Sequence, residues 1–314
     1  MKQLLILSGK GGTGKTTMAS SFIALSKAKT YADCDVDAPN LHLIRGKEYG
    51  IVDEFLKDEV EVSENKGSYK TSPYFAMPKS FIDQKSCVKC GSCKNVCRFN
   101  AIDLINGEYK VNTFACEGCN VCSLVCKANA ITRKEDVAGD LMLYEKKDEV
   151  FSTAKLRIGS GTSGKLVAAV KKQMIDARKN NEVKDCDIAI VDGSPGIGCP
   201  VISSLSGVDM VLLVAEPSMS GMSDMTRIIK TAGVFGVKVL VCVNKFNTNV
   251  VRTKAIEDFC SKYKITFVGK VPFDKEAVKA VNKGMSVVET DCEASRAIKE
   301  VYKTTMKLLL GNQD

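Results

Sequence analysis

Residues 9–16 read GKGGTGKT and follow directly on the apolar run KQLLILS at 2–8. The pattern G-x-x-x-x-G-K-[ST] is satisfied in full, and it ties the chain to one local architecture: a buried strand, a glycine loop and a helix opening at about residue 15. Gly11, Gly12, Thr13 and Gly14 can curl their backbone N–H groups around phosphate oxygens, and the helix start adds its positive end. Lys15 is placed to reach the β- and γ-phosphates, the Thr16 hydroxyl to ligate Mg²⁺, and Thr17 to donate to the α-phosphate.

The rest of the chain has the rhythm such a loop requires. Continuous apolar strands are expected at 29–35, 187–193, 209–217, 237–245 and 265–274. Helices are expected after Pro200 and over 221–235, 250–263 and 291–310. Strands without polar alternation, separated by helices, imply a mostly parallel sheet covered on both faces, with ligands at the carboxyl ends of its strands. Residues 46–80 carry only a weak pattern of short strands and loops. GSGTSGKL at 159–166 also spells G-x-x-x-x-G-K, but Leu166 stands where the metal-binding hydroxyl should be, so it reads as a helix start.

A second feature interrupts the rhythm over 81–137. CVKCGSCKNVCRFNAI at 87–102 recurs as CEGCNVCSLVCKANAI at 116–131, offset by 29 residues with identical cysteine spacing. Between the copies, Asn106-Gly107 flanked by apolar residues is a hairpin-turn signal. Eight of the chain's fourteen cysteines lie in this stretch, and clustered thiols in a reducing compartment suggest metal and not disulfides. A zinc ribbon pairs two C-x₂-C units and does not need C-x₂-C-x₂-C-x₃-C twice. The spacing resembles that of bacterial two-cluster ferredoxins. The resemblance implies two [4Fe-4S] clusters, one on Cys87, Cys90, Cys93 and Cys126, the other on Cys116, Cys119, Cys122 and Cys97. That family usually has proline after the fourth cysteine, where this chain has Arg98 and Lys127. Cations beside a cluster favour its reduced form, so potentials somewhat above those of a proline-bearing ferredoxin are expected.

Lys10, the second lysine of KGGTGKT, makes the glycine loop resemble the deviant Walker A of the MinD/ParA/Mrp and nitrogenase iron-protein class. The resemblance implies an ATP-sandwiched homodimer in which Lys10 reaches the partner's nucleotide. It also implies that DCDVDAPN at 33–40 is the first switch, with Asp35 orienting the attacking water and Asp33 holding Mg²⁺ through water. VDGSPGIGCP at 191–200 looks like the Walker B strand end and second switch. There Asp192 would hold Mg²⁺ by way of water, and Gly196 would offer its N–H to the γ-phosphate. In NKFN at 244–247, Asn247 replaces the aspartate that guanine recognition needs. Asn244 can still pair with the adenine amino edge, and Pro272 in VPFD resembles the segment beside adenine, so ATP is favoured over GTP. Catalytic roles therefore fall to Lys10, Lys15 and Asp35.

The resulting expectation is an α/β P-loop NTPase fold with an inserted ferredoxin-like α+β module. The ATPase parts are 1–80 and 138–314, and the insertion is 81–137. Such a protein would couple ATP-dependent dimerisation to electron transfer, or to metallocluster assembly, on an unidentified redox or metalloprotein partner. The alternative is a ParA- or MinD-like positioning ATPase with structural or sensory clusters, for which 294–314 could form an amphipathic tail; a docked closing helix is the preferred reading. A ferredoxin with a merely regulatory ATPase part is a third reading. The formal charge of +8 falls to roughly +4 once eight thiolates and two oxidised cores are counted. The lysines are dispersed, so neither nucleic acid nor membrane binding is expected. No signal peptide is read at the N-terminus, and the chain is expected to be cytoplasmic. Cys199, directly after the second switch, reads as a packing residue or a metal-binding thiolate. The lone histidine, His42, reads as a packed helix residue.

Overall fold

The computed structural model describes residues 1–45, 68–146, 149–180 and 188–311. Strands β1 to β13 span Lys2–Leu7, Thr30–Asp33, Ser68–Phe75, Lys79–Ile82, Ile102–Ile105, Glu108–Val111, Ile131–Lys134, Val137–Lys146, Glu149–Leu156, Ile188–Asp192, Met210–Ala215, Lys238–Asn244 and Thr266–Val271. Helices α1 to α10 span Lys15–Ser26, Leu41–Arg45, Ser92–Asn95, Val121–Leu124, Ser163–Asn180, Cys199–Leu205, Met219–Val234, Val250–Lys262, Lys275–Asn282 and Glu293–Leu310. The chain divides into two compact units: Met1–Thr71, Leu141–Lys155 and Gly164–Asp314 form the first, and Ser72–Asp140 with Leu156–Ser163 the second.

A nine-stranded sheet runs in the order β13-β12-β11-β1-β10-β2-β9-β8-β3. The neighbours from β13 to β9 pair in parallel. Leu4, Leu5, Ile6 and Leu7 of β1 are completely buried, because the central strand has helices over both faces. The chain order reverses on either side of β1, and the glycine loop leaves from its carboxyl end, at the place where such sheets open a crevice. The predicted strands and helices of this part are present with ends shifted by a few residues. Three elements escaped the sequence reading. The strands β8 and β9 extend the sheet, with Phe151 stacked on Tyr31 at 5.0 Å and the Tyr31 hydroxyl donating to buried Glu149 at 2.7 Å. Helix α9 follows β13, capped by Asp274, whose carboxylate accepts from Glu276 N.

Helix α5 begins at Ser163, inside the GSGTSGKL stretch, as a helix start and not a second phosphate loop. Helix α10 spends its apolar face on the core: Ile298, Val301, Met306 and Leu309 join the cluster that includes Leu4, Phe22 and Val268. The terminal helix is therefore docked, and its apolar stripe is not left for a lipid surface. His42 is buried on α2, and burial together with Lys155 pushes its imidazole down to about 4. Among the described residues no helix is long and apolar enough to cross a membrane.

The second unit holds two antiparallel pairs, β4 with β7 and β5 with β6. Asn106 and Gly107 join β5 to β6 with φ of 52° and 77°, the left-handed pair that a tight hairpin requires. Its small core is Ile82, Ile102, Ile131, Cys93 and Cys122, with Cys87, Cys97 and Cys126 packed against it. The weakly patterned stretch 46–67 lies outside the described residues.

Candidate functional site

At the carboxyl ends of β1, β2 and β10, a cleft of about 950 Å³ is lined by residues 10–17, Asp35, Asp37, Ser194 and Pro195, among others. The loop turns through Gly12 and Gly14 at φ of 76° and 90°, a region that glycine alone enters without strain. At Gly14 a Cβ would also overlap the Asn244 amide. Asn244 Nδ2 donates to Thr13 O at 2.7 Å, and Lys245 Nζ donates to Gly12 O at 2.8 Å. The strand end of β12 therefore holds the loop from behind.

Four ionisable groups converge at the head of α1. Lys15 Nζ lies 2.6 Å from Asp192 Oδ1 and 3.9 Å from Asp35 Oδ2. The Thr16 hydroxyl donates to Asp192 Oδ2 at 2.7 Å. Burial works against the Lys15 charge, but Asp192, Asp33 and Asp35 outweigh it and hold the ammonium above its ordinary range. Burial lifts Asp192 to about 6 in spite of Lys15. It raises Asp35 as well, with Lys15 opposing.

Asp33 plays a part that the motif did not show. Its Oδ1 accepts from Asp35 N at 3.0 Å, and its Oδ2 accepts from Asn40 N and Leu41 N at 2.9 Å each. The carboxylate ties both ends of the first switch segment, so it shapes the loop that presents Asp35. Asp37 also lines the cleft. Gly196, at φ of 94°, donates its N–H to Ser8 O at 3.1 Å, so that group is engaged within the loop. Lys10 points to its own chain: its Nζ lies 2.7 Å from Glu216 Oε2 and 3.3 Å from Ser218 Oγ. Sequence reasoning missed Glu216, although its place at the end of an apolar strand, in VAEP, was a usable signal.

A side pocket of about 230 Å³ shares Gly12, Gly14, Thr17, Val281 and Asn282 with the cleft, and Asn244, Pro272, Phe273 and Ile298 help line it. Asn247 does not face it as a base reader: its Oδ1 accepts from Phe273 N at 2.7 Å and its Nδ2 donates to Phe273 O at 3.3 Å. Asn247 instead pins the segment carrying Pro272. Cys199 is exposed at the first residue of α6.

The eight repeat cysteines, within the second unit, surround two small cavities. One, about 330 Å³ including its open mouth, is lined by Cys87, Cys90, Cys93 and Cys126. The other, about 340 Å³ on the same measure, is lined by Cys97, Cys116, Cys119 and Cys122. Ala101 N donates to Cys97 Sγ, and Ala130 N to Cys126 Sγ, at 3.3 Å each. Among the described residues no group of three or more His, Cys, Asp or Glu side chains stands in metal-binding geometry. The thiols thus line the cavities without closing on a single point.

The profile of the CobQ/CobB/MinD/ParA nucleotide binding domain matches residues 4–287. The uncharacterized protein MJ0578 of Methanocaldococcus jannaschii is 31% identical over 306 residues, covering 96% of this chain and 95% of that protein. The iron-sulfur cluster carrier protein of the same organism is 22% identical over 143 residues, 41% of this chain and 49% of its own length. Among solved structures, the septum site-determining protein MinD of Pyrococcus horikoshii, complexed with Mg-ADP, superposes with a TM-score of 0.54 at 16% identity. The alignment covers 98% of this chain and 96% of that one.

Proposed function

This chain belongs to the CobQ/CobB/MinD/ParA nucleotide-binding family, and from that premise we propose that it binds and hydrolyses ATP with Mg²⁺ and couples the cycle to two [4Fe-4S] clusters serving electron transfer or metallocluster assembly on a partner. The observation that carries the iron–sulfur part is the crossed lining of the two cavities, three cysteines of one repeat with the last cysteine of the other. That is the ligand sharing of a two-cluster ferredoxin, and four thiolates per cavity suit the donor demand of an iron cubane. A cluster would supply a one-electron redox site there.

The ATPase part rests on the cleft. The side pocket suits a base, and the contiguous glycine loop suits phosphates. Thr16 Oγ1 and Asp192 are the hard oxygen donors that suit Mg²⁺, and that ion would supply charge neutralisation to the phosphates. Asp35, held by Asp33 at the rim, accepts a hydrogen bond from water and aligns it for in-line attack. Lys15 exchanges its carboxylate partner for phosphate oxygens when nucleotide enters. The Gly196 N–H reaches a γ-phosphate by leaving Ser8 O, which makes it a sensor of the third phosphate. Lys10 likewise leaves Glu216 to meet a partner subunit's nucleotide, so dimerisation and nucleotide state are linked.

The positioning-ATPase reading draws on the MinD fold likeness, but the amphipathic tail it would use is buried as α10. Anaerobic purification with partner pull-down, with and without a non-hydrolysable ATP analogue, separates the two. Capture of a redox or metalloprotein partner that depends on the analogue supports the proposal. Co-sedimentation with liposomes or DNA that depends on ATP, from protein lacking iron, overturns it.

A further inference from the structure

The 29-residue repeat relates the two halves of the cysteine unit, so equivalent positions can be compared directly. Several features match. Ala101 N on Cys97 Sγ has its counterpart in Ala130 N on Cys126 Sγ, both at 3.3 Å. Arg98 and Lys127 each directly follow a fourth cysteine in the chain.

The surroundings of the second loop break the symmetry. Ser80 Oγ lies 3.2 Å from Cys122 Sγ, with both residues buried. Lys79, only 7% exposed, donates its ammonium to Cys116 O. Arg133 Nη2 donates to Gly118 O in the same loop at 3.4 Å. The equivalents at the first loop are Tyr109 for Ser80, Glu108 for Lys79 and Leu104 for Arg133. Glu108 is ion-paired with Lys110 at 3.3 Å, and the Tyr109 hydroxyl packs against Gly91.

The first loop has polar neighbours of its own. Ser92 Oγ lies 3.4 Å from Cys90 Sγ, but Cys90 is exposed and water competes for that sulfur. Lys85, Lys89, Lys94 and Lys127 ring the loop and are exposed, with Lys94 on Asp103 at 3.2 Å. Charges in water act through a high dielectric and are screened by salt, whereas a buried ammonium and a buried hydroxyl are not. Buried donors at the sulfurs of a cluster stabilise the electron it takes up.

We infer that Lys79 and Ser80 make the cavity of Cys97, Cys116, Cys119 and Cys122 the higher-potential of two unequal cluster sites, so that it takes up the first electron. The inference rests on the iron–sulfur reading above. Reduction adds one electron to the core and breaks no bond. The Ser80 O–H donates to the Cys122 thiolate, and the Lys79 charge offsets the added electron.

The test is voltammetry of the full chain after anaerobic reconstitution with iron and sulfide, the electrode supplying the electrons. Wild type is expected to show two couples. Ser80→Ala and Lys79→Met each shift the higher couple to more negative potential and leave the lower one in place. Ser80→Thr, which keeps the hydroxyl, retains the wild-type pair. Glu108→Lys, which builds the missing cation at the first loop, raises the lower couple. Two couples that do not move, that move together, or a shift confined to the lower one overturns the inference while the clusters stand. Wild-type protein that takes up far less than about eight iron atoms per chain overturns the iron–sulfur reading itself, and this inference with it.

Discussion

At the scale of single residues, the phosphate cleft is a set of commitments between neighbours. Gly14 sits at φ of 90° with the Asn244 amide against it, so Gly14→Ala meets both backbone strain and overlap. Nucleotide affinity measured by titration calorimetry should fall about tenfold or more, given a backbone cost near 1 kcal/mol before the overlap is counted. Asp192 offers a different measurement. Its folded-state carboxyl sits near 6, above its ordinary 3.8, so folding favours the protonated form. Its contribution to stability is greatest below 3.8, declines as pH rises toward about 6, and is level beyond that. Urea unfolding of nucleotide-free wild type across that window should show the decline. Asp192→Asn should lose that slope, so its stability relative to wild type should rise as pH goes from 3.8 to about 6. Of these roles, the glycine loop and Lys15 could be read from residue order alone. Asp33 as a loop tie could not, and Glu216, signalled only by its place at a strand end, could not be assigned to Lys10, since both depend on which distant group a carboxylate reaches.

At the scale of elements, α10 links stability to the base pocket. Ile298 is buried in the main core and also lines the side pocket. Ile298→Ala should cost about 2–5 kcal/mol of unfolding free energy in denaturant titration. Adenine nucleotide should bind more weakly as well, with guanine nucleotide no better, because Asn247 remains tied to Phe273. The helix itself was visible in the spacing of its apolar residues. That its stripe is covered, and so not available to a lipid surface, followed only from packing against Leu4 and Phe22. The β8 and β9 strands show the opposite limit: polar-interrupted segments of ten and eight residues whose strand character comes from the sheet they join and not from their own pattern.

At the scale of the whole molecule, the proposal requires a nucleotide cycle and a redox pair in one polypeptide. Lys15→Ala should abolish ATP hydrolysis in a phosphate-release assay while leaving the iron content and visible absorbance of reconstituted protein at wild-type levels. The cysteine unit has its own core, one hairpin and a second antiparallel strand pair, and the described residues that line its cavities all fall within 80–131. Conversely, Cys119→Ala should cut iron toward about half and leave nucleotide affinity unchanged. An ATPase rate that collapses in Cys119→Ala would mean that hydrolysis itself needs the clusters, against the division of labour proposed here.

The amino-acid order alone determined the strand–loop–helix at the N-terminus, the parallel α/β class and the two-fold cysteine repeat. Each is written in contiguous residues, by glycines at fixed offsets, uninterrupted apolar runs and thiols at set spacing. Tertiary structure decided what those pieces do to one another. It put Asp192 between Lys15 and Thr16, tied Asn247 to the Phe273 backbone, buried the α10 stripe, and set Lys79 and Ser80 at one cysteine loop where Glu108 and Tyr109 are their counterparts at the other. Such outcomes depend on distances between segments far apart in the chain, and on the burial that makes one hydrogen bond or one charge count more than several in water.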